Sequence, residues 1–222
     1  MKTFKIACIA LATASGCSLA LAQKAGSFSA SVGVTQISPS VNSGNLSAPS
    51  QPGSQIGITN NSQLTGAVNY MVTDNIAVQV PLSFGFKHDV TGAGTIAGVG
   101  KIAETKALPI TLMGQYRFLA ANAAFRPYLS AGATYVKFYN TNGTGVLTAL
   151  TNPGGGATML SFASKLAPTV GLGAVFNVNE KWYVEAAYSK TFITTRGTLT
   201  TGQTIDVKLD PSAYFFQVGY KF

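Results

Sequence analysis

His88 is the one histidine of the chain, and Asp89 follows it at once. An imidazole oriented by a carboxylate can act as general base to a nucleophile. Neighbours on a strand point to opposite faces, however, so this pair could cooperate only across a loop bend. No G-x-S-x-G run and no paired carboxylates stand nearby to supply a nucleophile. His88 therefore reads as a residue at the base of a loop. Asp206 and Asp210, flanking Lys208, read as an ion pair at the top of a strand. The run "NPGGGAT", 152–158, has the glycines of a phosphate-binding loop but lacks the lysine that must follow them. It reads as a flexible surface loop. The sequence predicts no catalytic residue, no metal site and no cofactor.

What the chain does carry is an address. "MKTFKIACIALATASGCSLALAQ" has Lys2 and Lys5, a short apolar run and then Ala20-Leu21-Ala22. That pattern predicts a cleaved signal peptide over residues 1–22, with the mature chain starting at Gln23. A competing cut at "ASGC", 14–17, would keep and acylate Cys17, but Ala14 stands where such signals usually have Leu. Both cysteines, Cys8 and Cys17, lie in this leader, so the mature chain has no thiol for a disulfide, a zinc site or a nucleophile. Lys2 and Lys5 account for two of the 15 basic residues, leaving 13 against 7 acids, a net charge of +6. The excess is scattered without a Lys/Arg run, which argues against nucleic acid. It suits anionic lipid headgroups better.

Only 10% of residues are charged, yet no second apolar run is long enough for a membrane helix. An exported, apolar chain of this kind can span a bilayer only as a closed barrel, which satisfies every backbone group. Eight segments alternate with period two. They are residues 27–36, 63–71, 76–87, 108–118, 126–138, 166–178, 182–192 and 212–222. In the third, Ile76, Val78, Val80, Leu82, Phe84 and Phe86 fall on one face. "VTDN", "LAANAAF" and "VNEK" are short connections. Those around 39–57, 88–106, 140–164 and 197–206 are long and rich in Gly, Ser, Thr and Asn. The fold expected is all-β: an eight-stranded antiparallel transmembrane β-barrel with short periplasmic turns and long extracellular loops, spanning 23–222. Aromatics at the strand ends support it over a soluble sandwich. Tyr70, Tyr116, Phe118, Trp182, Tyr220 and Phe222 lie near the turns, and Phe84, Phe86 and Phe138 near the loops.

The last strand puts Tyr214, Phe216, Val218, Tyr220 and Phe222 on its lipid face. A terminal aromatic on such a strand resembles the signal read by bacterial outer-membrane assembly machinery. "NNSQLTGAVNYMVTDNIAVQV", "LPITLMGQYRF", "FRPYLSAGATY" and "LDPSAYFFQVGYKF" together resemble the outer membrane protein W family, in order from about residue 26 to the end. The resemblance implies a Gram-negative outer-membrane barrel, set among outer-membrane lipid and lipopolysaccharide. It also implies passage of a small hydrophobic solute through a narrow, largely apolar lumen.

The inward positions read from alternation are small and mostly uncharged. Pro81, Pro109, Met113, Tyr128, Gly132, Gly171, Gly173, Tyr183 and Phe215 are candidates to line a ligand space. The glycines serve equally well to make room for Tyr128, Tyr183 and Phe215 to pack. Arg117, Glu185 and Lys221 could form a polar plug near the periplasmic end, since buried charges need partners. The lumen expected is a funnel open outside and closed at its base, from which a solute must leave sideways into lipid. Pro81, Pro109 and Pro168 lack the amide proton a strand ladder uses, and Pro81 with Pro109 marks a seam for that exit. The function expected is passive admission of small hydrophobic molecules. The alternative is a packed structural or surface-binding barrel acting through its loops.

Overall fold

The computed structural model describes residues 24–222. The expected leader, with Lys2, Lys5, Cys8, Cys17 and the cut before Gln23, lies outside them. Eight strands form the wall: β1 (Phe28–Ser38), β4 (Asn61–Met71), β5 (Ile76–Leu82), β7 (Lys101–Arg117), β8 (Phe125–Gly143), β10 (Lys165–Asn177), β11 (Trp182–Thr191) and β14 (Ser212–Lys221). Toward the loop end lie β2 (Asn42–Ser43), β3 (Ser54–Ile58), β6 (Phe86–Gly94), β9 (Leu160–Phe162), β12 (Thr194–Leu199), β13 (Thr204–Lys208) and the helix α1 (Gly145–Thr151). Each wall strand pairs antiparallel with its neighbour, and β14 returns to β1 with Ser29 opposite Lys221. Closure leaves no edge, the condition lipid imposes on a sheet. Among the described residues no helix is long and apolar enough to cross a membrane.

Alternation explains the outer surface. Leu64, Ile110, Leu112, Leu129, Leu166, Leu172 and Phe216 all point outward and are more than half exposed, the reverse of a soluble core. At the turn end, outward rings touch one another: Phe28 with Tyr70 at 4.6 Å, Trp182 with Tyr220 at 5.1 Å, and Tyr220 with Phe222 at 5.4 Å. At the loop end two of the expected girdle residues turn inward instead. Phe84 is 84% exposed, but Phe86 is 1% exposed. The segment 83–85 between β5 and β6 is not a strand, and this break resets the alternation. Phe138 also points in and packs on Phe162 at 5.5 Å. Tyr188 and Tyr214, with rings 5.3 Å apart, pair on the wall instead.

The long connections are not loose. The β7–β8 hairpin stays paired up to Ala103 and Gly143, through a register shift between Glu104 and Lys106, well past the sequence-predicted strand ends at Leu108 and Phe138. β2, β13, β12 and β9 form a second, four-stranded sheet. Ile56, Val90, Ile102, Leu147, Leu160, Phe162, Leu199, Ile205 and Val207 bury one another in a core above the lipid-facing belt. Even "NPGGGAT" is tied down at Thr158, whose amide donates to Thr148 Oγ1. Asp206 pairs with Arg196 in two hydrogen bonds of 2.7 and 2.9 Å, and Lys208 with Asp210 alone. The Arg196 guanidinium holds the Asp206 carboxyl below its usual value.

On the outer face of β6 and β7, Glu104 Oε2 receives Lys101 at 2.7 Å and Lys87 at 2.8 Å. These hydrogen bonds hold its carboxyl down at about 2. A carboxyl depressed in the folded state stabilises it fully above the unfolded value, roughly 4.3, and loses that contribution as pH falls through the folded one. We expect the extracellular β6–β7 ribbon to keep its hydrogen-exchange protection at about pH 6 and to lose it progressively between about pH 4 and pH 2. Equal protection in wild type and Glu104→Gln across that range would contradict this.

Candidate functional site

The wall lines a cavity of about 1300 Å³, adjoining solvent space included. Its lining is dominated by apolar and hydroxyl side chains, with Pro81, Pro109, Met113, Val136, Phe138 and Phe215 among them. Of the sequence-derived lumen candidates, Pro81, Pro109, Met113, Tyr128 and Phe215 border this space. Gly132, Gly171, Gly173 and Tyr183 do not. A Cβ on Gly173 would come within 2.5 Å of Tyr128 Cζ, and one on Gly219 would run into the Tyr183 ring. Each glycine is the direct cross-strand partner of the tyrosine that lies over it. Gly132 and Gly171 likewise sit tight against neighbouring strands, with backbone oxygens of Leu112 and Tyr188 occupying the approach. These glycines shape the wall by letting rings lie flat along it.

A run of threonines circles the lumen. Thr111 bonds Thr134 at 2.9 Å, Thr134 bonds Thr169 at 2.7 Å, and Thr169 bonds Thr191 at 2.9 Å, one hydroxyl per strand across β7, β8, β10 and β11. Thr35 and Thr65 repeat the pattern at 2.6 Å on β1 and β4. Because the hydroxyls satisfy one another, they ask little of a guest. The inward parity of these threonines was available in the sequence; their mutual level was not.

Below lies a polar floor. Glu185, buried on β11, accepts the Tyr128 hydroxyl at 2.5 Å and Gln79 Nε2 at 3.2 Å. The Arg117 guanidinium, fully buried, stands 5.9 Å over the Tyr128 ring and donates twice to Gln115 Oε1, at 3.0 and 2.8 Å. Arg117 and Glu185 thus flank one tyrosine. Lys221 sits apart, donating to Asn177 Oδ1 and the Asn179 carbonyl at the β10–β11 turn. Arg126, missed in the sequence, is fully buried and donates to the carbonyls of Asp74, Phe118 and Leu119, tying two turns together. Ser31, Gln217 and Thr65 extend the network across β1, β14 and β4.

The top is closed, which corrects the expected open funnel. Phe86 and His88 on β6, Thr105 and Ala107 on β7, and Ile193 and Leu209 border the cavity. The next inward residues up these strands are Val90, Ala103 and Val207, each buried completely, with Phe162 beside them. Beyond this apolar layer is a smaller space of about 540 Å³ lined by Ile56, Ile102, Leu147, Leu160 and Ile205. The reason is that the "loops" carry alternating apolar residues of their own, which continue the barrel and fill it.

The wall itself has a gap. β5 pairs with β7 only as far as Gln79 opposite Met113, and pairing resumes on β6 with Phe86 opposite Ala107. Pairing of β5 with β4 ends at Leu82 opposite Gly66. Residues 83–85 are held on that side by Gln63 Nε2 on the Phe84 carbonyl at 2.7 Å. Pro81 and Pro109 flank the gap, neither offering an amide proton. Leu82 and Ser83 are part of the cavity's lining, so the cavity reaches it.

His88 is not at a loop base but on β6, 4% exposed, its Nδ1 bonded to the Thr59 carbonyl at 2.6 Å. Asp89 faces the opposite way, bound to Lys101 at 2.6 Å. Among the described residues no His/Cys/Asp/Glu group could hold a metal ion.

The OmpW family model matches residues 24–222. Outer membrane protein W of Vibrio cholerae is 36% identical over 175 residues, 76% of this chain and 77% of that protein. That of Escherichia coli K12 is 32% identical over the whole of both chains. The crystal structure of OprG from Pseudomonas aeruginosa superposes with a TM-score of 0.81, at 25% identity, over 91% of this chain and 98% of that one. Closed barrel, lipid-facing belt and full-length match agree: the chain belongs to the OmpW family, β-barrels of the Gram-negative outer membrane.

Proposed function

We propose that the barrel admits small hydrophobic molecules by passive diffusion and releases them sideways into the membrane. The observation that carries this is the cavity's reach from a neutral, mostly apolar lumen to the unpaired segment 83–85. The charged floor opposes axial escape of an apolar solute, because it would have to displace a hydrogen-bonded network. The gap between Pro81 and Pro109 opens on hydrocarbon, where such a solute is most soluble. Entry requires the apolar layer at Val90, Ala103, Phe162 and Val207 to part. Catalysis has no place in this reading. A purely structural barrel would have filled its lumen with side chains, and the space above Glu185 weighs against that.

The test is a Pro81→Val/Pro109→Val double variant, which restores two ladder amides. With folding intact, transfer of a fluorescent apolar solute into the bilayer should fall several-fold while solute occupancy of the barrel persists. Unchanged transfer would remove the lateral route.

A further inference from the structure

Beside the gap, the outer wall carries an arrangement of charge that the transport reading does not use. Lys87 on β6 and Lys106 on β7 are direct cross-strand partners. Lys137 on β8 stands opposite Leu108, one outward position from Lys106. All three lie on the outer face, since His88, Thr105, Ala107 and Val136 beside them take the inner one. Lys165, at the start of β10, is paired with the inward Val136 and does not share this face. Three adjacent strands thus each present an outward lysine near one level.

Like charges placed directly opposite on a sheet repel. This chain supplies two nearby carboxylates, Asp89 and Glu104, and both are engaged by Lys101, with Lys87 sharing Glu104. Among the described residues Lys106 and Lys137 have no ion-pair partner. The far side of the extension differs: Arg196 is paired with Asp206 and Lys208 with Asp210. The unneutralised charge is therefore concentrated in one sector, the far side having only Lys190 among the described residues, held by the Ser40 and Ser212 hydroxyls. Below it are Ile110 on β7, Tyr135 on β8 and Leu166 on the adjacent β10, exposed by 53%, 41% and 71%. In the outer membrane that boundary, cationic above and apolar below, is the level of the outer-leaflet headgroups.

We infer that Lys106 and Lys137, with Lys87 beside them, form a binding site for the phosphate of an outer-leaflet glycolipid, its acyl chains lying over Ile110, Tyr135 and Leu166. The occupant is a membrane lipid and not a soluble anion, because the cations and the apolar strip below them are continuous. The site stands independently of solute passage.

Native mass spectrometry of the mature barrel, released from nanodiscs, tests it with three probes: lipid A, lipid A stripped of phosphate, and inorganic phosphate. Lipid A should be retained. Lys106→Gln/Lys137→Gln should weaken retention about thirtyfold, taking each lysine's attraction to an anionic surface at its usual size. Lys106→Arg/Lys137→Arg should restore it, and Lys190→Gln/Lys208→Gln, on the other side, should change little. Both tested lysines lack ion pairs, so the fold is not expected to depend on them. Equal retention by wild type and the Gln pair overturns the site. Retention of the phosphate-free lipid at wild-type strength does so as well. Inorganic phosphate bound in preference to lipid A overturns the lipid assignment.

Discussion

Gly219→Val is expected to prevent stable folding of the barrel. Gly219 lies on β14 directly opposite Tyr183 on β11, and the tyrosine ring occupies the space any Cβ would need. Tyr183 is fully buried, with its hydroxyl on Ser29 Oγ at 3.2 Å, so the ring cannot swing away without leaving β1. Overpacking alone costs roughly 1–3 kcal/mol where side chains can yield. Here the obstruction falls beside the β1–β14 seam that closes the barrel, and the loss should lie at or above the top of that range. Urea unfolding in lipid vesicles, read by the gel mobility shift of folded barrels, gives the measure. Gly219→Val in a Tyr183→Leu background should recover much of the deficit. A single variant as stable as wild type would show that the ring does not hold this position.

Arg117→Met should lower stability at neutral pH by roughly 2–3 kcal/mol, the range for removing hydrogen bonds from a buried charged donor and leaving its acceptor unsatisfied. The substitution keeps much of the volume but withdraws two hydrogen bonds from Gln115. It also leaves Glu185 as a buried carboxylate whose Oε2 has no hydrogen-bond partner. The distinguishing result is the double variant. If Arg117 works by compensating Glu185, Arg117→Met should cost far less in a Glu185→Gln background. Additive losses in the two backgrounds would mean that Arg117 acts through packing and Gln115 alone.

The lipid-facing half of this protein was legible in its sequence because one environment surrounds it. Ile110 and Leu112, or Leu172 and Phe216, alternate with lumen residues over whole strands, and hydrocarbon tolerates few exceptions. The lumen was legible only in part. Arg117 and Glu185 were found as inward charges, but their meeting at Tyr128 depends on strand stagger, which alternation does not encode. Phe86 was misplaced because a three-residue irregularity inverts every inference beyond it. The apolar layer was missed for a related reason: Val90, Ala103 and Val207 lie in segments whose Gly, Ser and Thr content reads as loop. What makes them strand is partnership with distant chain segments.

That layer has a consequence at the scale of the cell. An ion entering from outside would have to shed its hydration among Val90, Ala103, Phe162 and Val207 before it reached the polar floor. The barrel is therefore expected to be electrically silent at rest. A bacterium could insert many copies without short-circuiting its ionic balance or admitting charged antibiotics, and conductance across planar bilayers should stay near baseline however densely the protein is packed.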